Sequence, residues 1–157
     1  MKQKVKGRNV GTYETLNEVL VSLFRDVNDI EQKAIITSEF EDITNNDMHV
    51  IEAIGIDAPK NMSSIARVLS VTVGTLTISM NSLVKKGYVV RRRSEEDRRV
   101  VFISLSEKGR NAYFHHKRFH EQMIQGAIDG LTEEELSALV KALTKLNSWF
   151  RSFEKDY

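Results

Sequence analysis

The sequence predicts a mainly α-helical fold with one small β-hairpin, an α+β arrangement, and three observations predict it. Two short amphipathic segments, 61–69 and 72–87, meet at a tight turn. Directly behind them, two runs rich in β-branched, aromatic and arginine residues flank a polar loop. Long apolar stripes at three- and four-residue spacing occupy both ends of the chain. A helix pair followed at once by an arginine-loaded hairpin has the layout of a winged helix-turn-helix, with N- and C-terminal helices around it.

Taken in order, residues 1–11 carry Lys2, Lys4, Lys6 and Arg8 between Gly7 and Gly11 and read as a mobile basic arm. From Thr12, which can cap a helix, Leu16, Val19, Leu20, Leu23, Phe24, Val27 and Ile30 recur at helical steps to about Thr37. Asn45-Asn46-Asp47 reads as the cap of a second helix, which bears Met48, Val50, Ile51, Ala53 and Ile54 and stops at Gly55. Pro59 marks the link that follows.

Asn61 can cap the third helix, whose face is Ile65, Ala66 and Leu69, with Ala66 small enough for a crossing helix. Ser70-Val71-Thr72 supplies the turn, Val71 as its apolar plug and Thr72 as the next cap. Leu76, Ser79, Met80 and Leu83 then form one stripe, ended by Gly87. The hairpin pairs Tyr88–Arg93 with Arg99–Leu105 across the loop 94–98. After it, Ser106 caps a helix to about Asp129, and Leu131-Thr132-Glu-Glu-Glu135 starts another with a capping box. That last helix carries Leu136, Leu139, Val140, Leu143, Leu146, Trp149, Phe150 and Phe153.

The stripes on the first and last helices exceed what a small winged core can cover, which predicts a two-fold homodimer. The expected organisation is a single-domain chain, 1–157, with 12–38 and 106–155 as dimerisation helices and 44–105 as the DNA-binding part. At 157 residues with 41% hydrophobic and 29% charged residues, the chain has an ordinary globular composition. It has no cysteine, which excludes a disulfide framework, a thiolate metal cage and a cysteine redox switch. No apolar run approaches the ~20 residues that span a bilayer, and the start lacks a signal peptide, so a cytoplasmic, nucleoid-associated protein is expected. Motifs for catalysis are missing too: no phosphate-binding glycine loop, no Gly-x-Ser-x-Gly turn and no His-Glu-x-x-His helix. The expected class is a DNA-binding protein, not an enzyme.

Net charge is only +1, but it is unevenly spread. Lys85–Arg99 holds seven basic and three acidic residues, whereas Asp26–Asp57 holds nine acids and Lys33, so the first stretch should meet DNA and the second face away from it. The outer face of the helix after the turn presents Val73, Gly74, Thr75, Thr77, Ile78 and Asn81. With no arginine or lysine for guanine, this face suits thymine methyls through threonine and isoleucine, and adenine through Asn81, so an A·T-rich site is expected. Thr72, Thr75 and Ser63, at helix starts, suit phosphates, where Gly74 permits close approach; Lys85, Arg91 and Arg93 suit the adjacent backbone.

The order Ile65-Ala66, Leu69, Val71, Thr75, Leu83, Lys85-Lys86-Gly87-Tyr88, Asp97-Arg98-Arg99 and Leu105-Ser-Glu-Lys-Gly109 resembles the MarR family of bacterial winged-helix regulators over nearly the whole chain. The resemblance implies that Asp97 braces the wing tip, Arg99 enters the minor groove and Arg98 meets phosphate; narrow A·T tracts favour such an arginine. Within the family, Thr-Val-Gly-Thr-Leu-Thr (72–77), Asp47-Met-His49, His116-Lys-Arg-Phe-His120 and Asp129–Glu135 are similar to the branch that represses type II fatty-acid synthesis genes. That likeness implies a repressor with an acyl chain on acyl carrier protein as corepressor. Phe24, Val27, Met48, Ile51, Phe119 and Met123 would line an apolar pocket for it or belong to plain core. Glu31, His49, His116 and His120 also look like the ligands of zinc-responsive relatives and could make a tetrahedral site. Both readings stand at this point, zinc sensing and structural histidines, and His115 has no assigned role.

Overall fold

The structure, a computed structural model, describes residues 10–35, 39–97 and 100–153. The elements run α1 (Val10–Ile35), α2 (Asn45–Ile54), β1 (Lys60–Asn61), α3 (Met62–Val68), α4 (Val73–Lys85), β2 (Val89–Arg93), β3 (Val101–Leu105), α5 (Glu107–Ile128) and α6 (Glu133–Phe153). The chain divides into two units, Met1–Phe119 and His120–Tyr157, with the division inside α5. Among the described residues, no single helix is long and apolar enough to cross a membrane.

The first unit holds the winged helix-turn-helix. Its core joins Met48, Ile51 and Ile54 of α2, Ile65 and Ala66 of α3 and Leu76, Met80 and Leu83 of α4 with Tyr88, Ile103 and Ala112. Apart from Ala112, these are the apolar positions that the helical and alternating periods single out, and each buried Leu, Ile or Met contributes about 1.5–3 kcal/mol relative to exposure. The sheet has the order β1-β3-β2 and is antiparallel throughout, with Val89 opposite Leu105 and Arg93 opposite Val101. Sequence patterning misses β1 because two residues are too few to show an alternation; it forms as an edge, Lys60 opposite Ile103 and Asn61 opposite Phe102.

Two helix starts and the turn between α3 and α4 differ from the sequence reading. Helix α1 is already formed at Val10, so Thr12 lies inside it rather than at its cap, and Val10 and Gly11 belong to the helix instead of the basic arm; residues 1–9 of that arm lie outside the described residues. Helix α2 is capped one residue earlier than Asn45-Asn46-Asp47 suggests. Thr44 accepts the amide of Asp47 at 3.2 Å, and the Asp47 carboxylate accepts the amide of Thr44 at 3.2 Å. This capping box satisfies two otherwise free donors, which explains why the helix starts there. In the turn, Val71 is 40% exposed and is no plug. The chain reverses through Ser70 at φ 54 and is held by the Val71 amide on the Ala66 carbonyl. Burial of Ile65, Ala66 and Leu76 seals the corner instead.

The second unit contains the end of α5 and α6. Thr132 and Glu135 form the expected capping box: Glu135 accepts the Thr132 amide at 2.9 Å and Thr132 accepts the Glu135 amide at 3.2 Å. The Thr132 amide, and then the Thr132 hydroxyl donating at 3.1 Å, hold the Glu135 carboxyl below its ordinary value. On α6, Leu139, Val140, Leu143, Trp149 and Phe150 are exposed. On α1, in the first unit, Leu16, Val19, Leu23, Phe24 and Ile30 are exposed as well.

Candidate nucleic-acid interface

Helices α3 and α4 cross at 105°, within the range of helix-turn-helix pairs. Asn61 caps α3 by accepting the Ser64 amide at 2.8 Å, and Thr72 caps α4 by accepting the Thr75 amide at 3.1 Å, as their sequence positions predict. With Leu76, Met80 and Leu83 turned inward, α4 exposes Val73, Gly74, Thr75, Ile78, Asn81 and Lys85 along one face, while Thr77 is half-buried. Ser63 is exposed in the first turn of α3. A Cβ added at Gly74 would meet only Thr72 Oγ1 at 3.7 Å, an ordinary contact, so packing within the chain does not demand glycine there.

The wing lies beside this face. Arg91 and Arg93, two residues apart on β2, share a recess of about 380 Å³ with Met62, Thr77 and Val101, whereas Arg92 takes the other side of the strand. The tip is organised by Ser94, a residue the sequence reading overlooked: its hydroxyl accepts the amides of Glu96 and Asp97, and its own amide donates to the Val100 carbonyl. A serine opening a tight acidic loop is a recognisable turn signal. The Val100 amide donates to the Asp97 carbonyl at 2.9 Å. Arg98 and Arg99 lie outside the described residues.

The root of the wing is clasped in part by Asp42 and Asp47, from the acidic stretch expected to face away from DNA. Lys86 pairs with the nearly buried Asp47 at 2.8 Å. The buried Tyr88 donates its hydroxyl to Asp42 at 2.7 Å, Lys108 reaches the same carboxylate at 3.4 Å and stands 4.0 Å above the Tyr88 ring. Ser106 donates to the Gly87 carbonyl at 2.6 Å, and Gly87 itself, at φ 81, ends α4 in a conformation that favours glycine. Thus α2, the end of α4 and the start of α5 all hold the hairpin's base.

The hydrogen bond from Tyr88, more than the charge on Lys108, lowers the Asp42 carboxyl, while burial and then Asp42 raise the Tyr88 phenol. A depressed carboxyl contributes stability above its ordinary pKa of about 4, lost as pH falls through the lowered value. A raised phenol contributes stability below its ordinary pKa of about 10, lost as pH rises toward the higher value. Tyr88→Phe should therefore cost about 1 kcal/mol between pH 5 and pH 9, with the difference from the parent shrinking on both flanks. Urea unfolding across pH checks this; a pH-independent difference would mean that the hydroxyl does not couple to Asp42.

Of the four candidate metal ligands, Glu31 and His116 meet directly: Nε2 of His116 is 2.8 Å from Oε1 of Glu31, with both side chains buried. His49 is exposed and its ring stands edge-on to His116 at 6.2 Å. His120 follows one turn later in α5, across the division between the units. Tetrahedral zinc would hold two such ligand atoms about 3.3 Å apart, so the Glu31–His116 hydrogen bond must open to admit the ion. His115, unassigned from sequence, places Nε2 2.8 Å from the Ala34 carbonyl and packs on Phe40.

Of the six residues expected at an apolar pocket, Met48 and Ile51 are wholly buried in the core, Val27 and Phe119 are half-buried, and Phe24 is 56% exposed. Met123, half-buried, is in the second unit. A cavity of about 580 Å³ lies elsewhere, among Val50 and Ala53 of α2, Val68, Leu69 and Val71 at the end of α3, and Thr75, Leu76 and Ser79 of α4.

Residues 32–115 match the family model described as transcriptional regulator SarA/Rot. FabT of Streptococcus pneumoniae, solved in complex with DNA, is 42% identical with a TM-score of 0.84, covering 90% of this chain and 99% of its own. The HTH-type transcriptional regulator SarZ of Staphylococcus haemolyticus is 30% identical over 127 residues, 81% of this chain and 85% of SarZ. A MarR mutant of Escherichia coli bound to operator DNA shares the fold at a TM-score of 0.65 and 23% identity, over 89% of this chain and 99% of that one.

Proposed function

Because the chain belongs to the SarA/Rot family of transcriptional regulators, with the MarR-type winged-helix fold, it is a DNA-binding transcriptional regulator, and we propose that it is a homodimeric repressor of type II fatty-acid synthesis genes. The observation that carries the DNA-reading part is the exposed face of α4, with Thr75 and Asn81, set beside a recess edged by Arg91 and Arg93. In this reading α4 enters the major groove of an A·T-rich pseudo-palindrome, since the face lacks the arginine that most often reads guanine. Ser63, Thr72, Thr75 and Thr77 with Gly74 meet phosphates and bases; Lys85, Arg91, Arg93 and Arg98 neutralise the backbone; Asp97 braces the tip and Arg99 reaches the minor groove.

The apolar faces of α1 and α6 support dimerisation, since each exposes several large side chains at helical spacing among the described residues. Two copies would set the reading helices one DNA turn apart, ~34 to 36 Å. The likeness to the fatty-acid branch, together with 42% identity to FabT, supports acyl chains on acyl carrier protein as the corepressor. A ligand acts only by binding the DNA-competent state better. Light scattering should accordingly give a dimer at micromolar concentration, and long-chain acyl carrier protein should tighten operator binding in fluorescence anisotropy while a chelator leaves it unchanged. A monomer would sink the dimeric reading; loss of binding on chelation, restored by zinc, would replace the acyl effector by metal.

A further inference from the structure

We propose that Ile78 is a base-reading residue that recognises the C5-methyl group of one thymine in each half-site, an inference that rests on α4 being the reading helix. Ile78 is 75% exposed, more than any other large apolar side chain among the described residues. It sits mid-helix, one turn from Gly74 and Thr75 on one side and from Asn81 on the other. Those neighbours are small or polar, so the side chain is not part of a wider apolar patch of the kind that marks a protein interface.

Two threonine hydroxyls beside it are already engaged within the chain. Thr77 Oγ1 donates to the Val73 carbonyl at 2.7 Å, and Thr75 Oγ1 is hydrogen-bonded to Thr72 Oγ1 at 2.9 Å. What this face offers at its centre is therefore methyl groups. Its nearest cation on the helix is Lys85, two turns away. In the major groove thymine alone presents a methyl group; cytosine offers an amino donor, and the purines offer acceptors, with an amino donor on adenine. An isoleucine in a helix is also restricted largely to one rotamer, so it meets a fixed methyl with little further loss of freedom. Gly74, one turn back, leaves room for the base edge.

The test uses the full chain and a duplex operator selected by it from a random pool. Each thymine of one half-site is replaced singly by deoxyuridine, which removes the methyl and keeps base pairing, and affinities are measured by fluorescence anisotropy for the parent, Ile78→Val and Ile78→Ala. One replacement should weaken parent binding about 3- to 10-fold, the effect expected for burial of roughly one methyl group. Ile78→Ala should weaken binding to the thymine operator by a similar factor and respond less than twofold to that same replacement, with Ile78→Val between. Unchanged thymine discrimination in Ile78→Ala, or a parent indifferent to every replacement, overturns the assignment while leaving α4 as the reading helix. A parent that selects no duplex overturns that premise itself. Light scattering on the same samples should give equal masses; a change in oligomeric state on Ile78→Ala would assign the side chain to an interface between copies and overturn base reading.

Discussion

Gly109→Ala should destabilise the protein by about 3 kcal/mol or more and loosen the wing, a larger effect than any single surface change. Gly109 lies buried in the first turn of α5, and a Cβ there would stand 2.1 Å from the Tyr88 carbonyl oxygen, 3.1 Å from its carbon and 3.3 Å from Leu105 Cβ. The obstacle is backbone, and it has no free direction. The Tyr88 carbonyl accepts the Ser106 amide at 2.9 Å, the Tyr88 amide donates to the Leu83 carbonyl at 2.9 Å, and Val89 is locked opposite Leu105. Relief requires α5 to move off the hairpin root or the first β2–β3 pair to open. Gly126→Ala is the control in the same helix, because a Cβ there meets nothing within 4 Å and alanine favours helix by about 1 kcal/mol. Urea unfolding followed by circular dichroism should move the two variants in opposite directions. A loss below about 1 kcal/mol for Gly109→Ala would mean that α5 and Tyr88 are not in such close contact.

Removing His116 should cost about 3–5 kcal/mol, because His116→Ala takes away the group that faces a buried carboxylate at 2.8 Å. The side chains of His116 and Glu31 are only 2% and 5% exposed, so water cannot readily substitute for the imidazole. Glu31→Gln keeps an acceptor without the charge and should cost less. The double variant should lose clearly less than the sum of the single losses, since each single change removes the same contact. Additive losses in that cycle would dissolve the pair as a unit. A thermal midpoint lowered by chelator in the parent, and unaffected in His116→Ala, would instead mark the pair as part of a metal site.

Much of the winged helix was legible in the sequence because its signals are local. Asn61, Thr72 and Ser106 cap their helices through amides three residues away, and Leu76, Met80 and Leu83 repeat at helical spacing. The alternation of Tyr88–Arg93 and Arg99–Leu105 likewise located the hairpin, although the first strand begins one residue later, at Val89, and the second is described from Val101. Where local signals competed, sequence reasoning slipped. Thr44, Asn45, Asn46 and Asp47 can all cap a helix, and only the reciprocal bond between Thr44 and Asp47 decides among them. Val71 has the residue type of a plug, but its exposure depends on what stands opposite it.

By itself the sequence determined the order and kind of every element but the two-residue edge strand β1, the buried stripes of the winged helix, the absence of cysteine chemistry, and an outward face of α4 with no cation ahead of Lys85. Each of these depends on residues within a turn or two of one another, so spacing along the chain suffices. Only the tertiary structure decided which distant groups meet: Asp47 with Lys86 over 39 residues, Tyr88 with Asp42 over 46, and Glu31 with His116 over 85. It also decided that Gly109 is indispensable because a carbonyl from another element occupies the space a side chain would need. Such pairings are settled by the packing of whole helices, for which a single sequence carries charge and size but no address.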